Sequence, residues 1–368
     1  MKIFKKSCLL VIASVFLFTA CKKDEPTPEP PTTLDATKSY AYVVSYGSYS
    51  GLKSEFDIYN ITDKTITNNA YLAANSVAFN SNIQSSLISN GLLYCMSNNG
   101  DKIDVLNAST LVQSSNPIST DIVKPRYMVI DGNNAYVSCW GNADWDIMAD
   151  SYIAKIDLTT KAVTKLALPG GPEGLEIANG KLYAALNYKD SIATINLANE
   201  QISYIATPAV SSYFLKDNSN NLYVSFVSTY SDTSSFSGIG YINTTTDQIV
   251  NNNLLTGISS DYGSIMRFNN DKSKIYIIAS SWVEDTPGNW VLKGGIKVFN
   301  TINSSFETAF LENVNGLNGI SVNPTNNDVY VLISPSATEN GTLKVYSSSG
   351  TLLDTKETGI GPNQVLFL

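Results

Sequence analysis

The sequence predicts an all-β protein, a seven-bladed β-propeller of four-stranded antiparallel blades whose ring is closed when the C-terminal strand joins blade one. The first observation is a repeated strand with Tyr near its start, at Tyr42, Tyr94, Tyr136, Tyr183, Tyr223, Tyr276 and Tyr330, spaced 52, 42, 47, 40, 53 and 54 residues apart. Each copy is followed by a second apolar strand such as DKIDVLN or SIATINLAN, and a period of about 40 to 50 residues holding four short strands belongs to a propeller. The last observation concerns the ends. Gly361–Leu368 (GPNQVLFL) matches the innermost-strand phrases GPEGLEIA (Gly171–Ala178) and GLNGISVN (Gly316–Asn323), while the first unit begins directly at its Tyr strand. The C-terminal strand should therefore lie beside Tyr40–Ser45 and remove the open edge.

Residues 1–20 are read as a signal peptide. Lys2, Lys5 and Lys6 precede the apolar run CLLVIASVFLF, which is too short to cross a bilayer. The following FTAC resembles a bacterial lipobox, which implies cleavage before Cys21 and lipid attachment to it. Residues 21–38 contain the Pro-rich stretch KKDEPTPEPPTT and have the composition of an extended, solvated tether. Its Lys, Asp24 and Glu25 resemble the surface-export signal of Bacteroidetes lipoproteins, which implies a body outside the outer membrane; a periplasm-facing anchor is the alternative. The propeller occupies residues 39–368.

Composition narrows the chemistry. The chain has no histidine, so the commonest general base and the commonest zinc, copper and haem ligand are missing. Net charge is −8, which argues against a nucleic-acid surface. Only Cys95 and Cys139 lie in the folded part, and strand alternation points both to the same side of their respective sheets, so that they miss each other and two buried free thiols are expected.

The stretch AKIDLTTKAVTKLALPGGPEGLEIANGKLYAAL (Ala154–Leu186) is similar to the YVTN or YncE-like propeller repeat, over nearly all of the chain after the tether. The resemblance implies the fold strongly and the function weakly. Bacteroidetes lipoproteins of this kind include surface cobalamin-capture propellers that sit over a TonB-dependent transporter, and this is the implied role and partner. No short ligand-binding motif of that group can be matched here residue by residue.

Candidate sites lie on the face that carries the loops between second and third strands. Four of these are long: Tyr46–Ser54, Trp140–Ser151, Ser228–Ser237 and Ser281–Gly294. All four tryptophans, Trp140, Trp145, Trp282 and Trp290, fall in two of them, and Tyr46, Tyr49, Tyr230 and Phe236 in the other two. Aromatic loops here read as a binding rim, or else as loops that need a small core of their own. The channel mouth should be lined by Gln84, Arg126, Glu173, Tyr213, Ser264, Asn318 and Asn363. Arg126 and Glu173 sit on adjacent blades, placed either to fix a polar ligand group or to bridge the blades as an ion pair. Asn142, Asp144, Asp146 and Asp150 offer oxygen ligands for calcium, against the alternative of a solvated acidic loop. No cofactor is expected.

These features favour a non-enzymatic capture module for a bulky small-molecule ligand, cobalamin being the best single guess by resemblance. The chain would touch the membrane only through the lipid on Cys21. An adhesion or protein/glycan-binding scaffold is the second reading, and a propeller hydrolase or lactonase the third.

Overall fold

The computed structural model describes residues 34–368, apart from Tyr49, Leu52, Ala143, Trp145 and segments 228–236 and 256–264. For residues 281, 282, 285 and 289–292 only the backbone is described. Cys21 and the tether before residue 34 therefore lie outside the described residues.

Each Tyr strand is the second of its blade and is buried along almost its whole length, because both faces meet a neighbouring sheet. Blade two shows the pattern: Ile83–Ser89, Leu92–Ser97, Lys102–Asn107 and Gln113–Ile118 run antiparallel from the channel outward. Seven such sheets form the ring. The apolar side chains gather into seven wedges between consecutive blades. The repeated Tyr has a physical reason, since its ring fills a wedge, and at Tyr42 and Tyr183 its hydroxyl also reaches the next blade. Tyr42 donates to Ala108 O at 2.8 Å and Tyr183 to Thr244 O at 3.2 Å.

The ring closes as the sequence predicts. Pro362–Phe367 pairs antiparallel with Tyr40–Ser45, in register Ala41↔Phe367, Tyr42↔Leu366 and Val43↔Val365. Val365 enters the wedge between blades seven and one. Both cysteines are free and buried. A six-residue helix, Ala70–Asn75, links blades one and two, burying Tyr71 against Phe56 and Phe79.

Blade six departs from the pattern. Its second and third strands, Lys274–Thr286 and Asn289–Asn300, have 13 and 12 residues. The stretch Ser281–Gly294, read as a loop, is thus a continuous β-ribbon closed at Pro287 and Gly288, with Thr286 opposite Asn289. Gly288 takes a φ of 81°, which a tight hairpin turn requires. Its outer strand is broken into Ser305–Phe306 and Leu311–Asn315.

Candidate functional site

Six of the seven innermost strands carry one extra residue near their start, where the ladder with the Tyr strand slips: at Ile83/Ser85, Pro125/Met128, Pro172/Leu175, Ser211/Phe214, Leu317/Gly319 and opposite Val44/Ser45. A bulge re-aims the side chains within it. The bulges hold Gln84, Arg126, Glu173, Tyr213, Asn318 and Asn363, the residues placed at the channel mouth by the sequence. Ser264, the remaining one, lies outside the described residues.

The structure brings five of these six into a belt that runs from blade to blade. Asn318 Nδ2 donates to Pro362 O at 2.8 Å, and Asn363 Nδ2 to Ile83 O at 3.3 Å. Arg126 donates to Gln84 Oε1 at 2.9 Å and, through Nε and Nη2, to both oxygens of Glu173 at 2.8 Å each. Arg126 is 5% exposed and Glu173 0%. Of the two readings of this pair, the geometry is that of an ion pair bridging blades three and four. Burial pulls the Arg126 guanidinium down, but the Glu173 charge and hydrogen bonds outweigh it and leave it above its ordinary value. Burial raises Glu173, against the pull of Arg126. Between blades four and five backbone replaces side chain, since a Cβ on Gly174 would stand 2.4 Å from Ser212 O.

Trp140 is not a rim residue. It is 4% exposed, its Nε1 donates to Pro172 O at 3.2 Å, and the Arg126 guanidinium lies 4.0 Å from its ring centroid. It occupies the position after the buried strand Asn134–Cys139, where the next blade's Pro172 carbonyl supplies a partner. Tyr213 meets Tyr127 edge to face at 5.7 Å, and Arg267 lies 5.1 Å from the Tyr213 ring. Tyr127 and Arg267 were missed by the sequence reading. Their signals are a Tyr next to Arg126 and the chain's other arginine on an innermost strand.

Tyr46 is half-buried at the same mouth, its carbonyl receiving Asn82 Nδ2 at 2.8 Å. Trp145 and Tyr230, like Tyr49 and Phe236, lie outside the described residues. For Trp282 and Trp290 the backbone register is Trp282↔Leu292 and Glu284↔Trp290, which puts positions 282 and 290 on one face of the ribbon.

The calcium reading of Asp144, Asp146 and Asp150 is corrected. Asp144 Oδ1 accepts the N–H groups of Asp146, Ile147 and Met148, and Oδ2 that of Ala149. These donors hold the Asp144 carboxyl below its usual range. A carboxylate enclosed by amide hydrogens is the wrong surrounding for a cation. Asp146 and Asp150 are exposed, and among the described residues no group of three or more acidic or cysteine side chains is placed to hold a metal.

Glu173 is the only carboxylate of the described belt, and both its oxygens are engaged. The described belt therefore holds no free carboxylate to act as a base.

No protein family profile matches the chain, and no curated protein does. Among solved structures it is similar to a quinoprotein alcohol dehydrogenase-like protein from Bacteroides thetaiotaomicron, at 18% identity and a TM-score of 0.65, covering 89% of this chain and 78% of that one. It is also similar to the periplasmic gluconolactonase of Pseudomonas aeruginosa, at 11% identity and a TM-score of 0.64, covering 90% and 99%. A Lactobacillus plantarum protein gives 15% identity and a TM-score of 0.62 over 90% and 99%. At these identities the likeness establishes the propeller fold alone.

Proposed function

We propose that this chain is a non-enzymatic capture module, anchored in the outer membrane through lipid on Cys21 and exposed at the cell surface, that takes a bulky ligand on its channel-mouth face. Cobalamin, delivered to a TonB-dependent transporter, is the first ligand to test. The observation that carries the reading is the blade-six ribbon: strands of 13 and 12 residues, against six in each second and third strand of blades two, three and four, with Trp282 and Trp290 at positions of one face. The ribbon runs beyond the length of the strands that fill the other blades, and its use is read as contact with something above the mouth. Blade three stands nearly opposite in a ring of seven, and its second and third strands are joined on the same face as the ribbon. With the ring carboxylate engaged, capture rests on stacking and hydrogen bonds.

Titration calorimetry with cobalamin on the purified protein tests the ligand, and Trp290→Ala tests the site. Heat and tryptophan quenching, weakened roughly thirtyfold by the substitution, support the reading, as about 2 kcal/mol per buried aromatic anchor requires. Absence of both at micromolar ligand removes cobalamin. Lactone turnover by the same preparation would favour the hydrolase reading instead. For the address, whole-cell protease should cut the body, and Cys21→Ser should release it or leave it unprocessed.

A further inference from the structure

On the opposite face, the turns joining third and fourth strands share one backbone device. Each holds a residue of positive φ: Lys64, Leu111, Lys161, Glu200, Asp247, Ser304 and Gly350. In blades two to five that side chain reaches back over the preceding blade. Leu111 is buried in the wedge with Phe56, and Lys161 Nζ donates to Ser115 Oγ at 2.8 Å. Lys155 donates to Glu200 at 2.8 Å, and Tyr183 to Asp247 at 2.6 Å. In blade seven the position is a glycine, which has nothing to reach with.

The consequence is visible in the grooves. Between blades three and four, where Lys155 and Glu200 pair, about 50 Å³ is left. Between blades six and seven the cavity is about 190 Å³, lined by Lys274, Tyr276, Glu307, Phe310, Ser348 and Ser349. The broken outer strand of blade six supplies residues 307–310 to its wall. Two departures from the repeat, the break and the glycine, therefore meet at one place.

The lining is chemically mixed and already charge-balanced. Lys274 Nζ lies 2.9 Å from Glu307 Oε2, and Asn300 Nδ2 donates to Glu307 Oε1 at 2.7 Å. Phe310 is held edge to face by Tyr276 at 5.4 Å and by Tyr346 at 5.9 Å. An ammonium beside a carboxylate offers a donor and an acceptor to one hydroxyl group, and serine hydroxyls offer more. A charged ligand would have to break the ion pair, whereas a neutral one keeps it.

We propose that the groove between blades six and seven binds a single neutral pyranose ring, with its hydroxyls on Lys274, Glu307 and the Ser348–Ser349 turn and its C–H face on Phe310. The site lies on the face opposite the blade-six ribbon and is independent of the capture reading.

The test is saturation-transfer NMR on the full chain with D-glucose and D-galactose. Transfer from one of them, with a dissociation constant on the order of 1 mM, is expected for so small a contact. Gly350→Glu refills the groove in the manner of Glu200. A Cβ at Gly350 meets only Phe310 Cε2, at 3.9 Å, and Glu200 takes the equivalent turn at a φ of 60°, so the variant should fold. Affinity should fall at least about tenfold in Gly350→Glu and by a smaller factor in Phe310→Leu, with the effect of Trp290→Ala unchanged. No transfer from either hexose at tens of millimolar overturns the proposal, as does binding that both variants leave intact. If Gly350→Glu does not fold, Phe310→Leu alone decides.

Discussion

Arg126 of blade three and Glu173 of blade four join their blades through two 2.8 Å hydrogen bonds at the channel mouth, with the Trp140 ring closing over the guanidinium. The pair is buried, so its worth is large only as long as both partners are present. Removing one leaves a charge without water and without a counter-ion.

Glu173→Gln should therefore lower unfolding free energy by about 3 kcal/mol, while the double change Arg126→Met with Glu173→Met should recover most of the loss. Denaturant titration of the wild type and the two variants measures this. Equal destabilisation by the single and double changes would show that the loss does not come from leaving a buried charge unpaired.

How much of this could be read beforehand differs between backbone and side chain. The Tyr strands declared seven blades because each Tyr does the same job in each wedge, and ring closure followed from a phrase at the C-terminus lacking a partner. The bulge positions were legible for the same reason. The Arg126–Glu173 bridge was one of two readings of that pair, whereas the bonds of Gln84, Asn318 and Asn363 could not be read, because they form only when the blades stand side by side. Trp140 looked like a loop residue since nothing local shows that the Pro172 carbonyl waits for it. The Thr286–Asn289 hairpin was marked by Pro287-Gly288 between apolar runs, a recognised turn signal that the long polar stretch around it obscured. Asp144 stood as a candidate calcium ligand beside the acidic-loop alternative because sequence gives the carboxylate and not the four amides that turn toward it.

Ring closure gives the next expectation. Deleting residues 364–368 removes most of the strand paired with Tyr40–Ser45, takes Val365 out of its wedge, and removes Gln364, whose amide bonds Ser86 N and O at 2.9 and 3.0 Å. The loss of ladder hydrogen bonds and apolar burial should cost several kcal/mol and expose an edge prone to association. Differential scanning calorimetry and light scattering test it, and an unchanged melting temperature without aggregation would refute the closure argument.

The two thiols should be inert in the folded protein. Burial raises Cys95 and pushes Cys139 up to about 12, so neither holds thiolate at neutral pH. Ellman's reagent should leave both unmodified until denaturant is added. Rapid labelling of Cys139 under native conditions would mean that the blade-three wedge opens.

Asp57 supplies a pH dependence at the seam between blades seven and one. It is 0% exposed and accepts the N–H of Asn69 at 3.0 Å and that of Gly359, from the outer strand of blade seven, at 3.2 Å. Burial pushes its carboxyl up to about 6, with the two backbone donors and nearby Glu55 as smaller influences. In the unfolded chain an aspartate titrates near pH 3.9. Between these values the folded protein keeps a proton that the unfolded chain has released, so stability rises as pH falls from about 7 toward 4 and is lost again on raising pH through the folded value. The full difference amounts to roughly 3 kcal/mol. Asp57→Asn does not titrate, so the gap in unfolding free energy between wild type and variant should shift in favour of wild type as pH drops through this window. A gap that stays constant from pH 7 to 4 would show that the carboxyl ionises at an ordinary pKa and that the seam carries no such dependence.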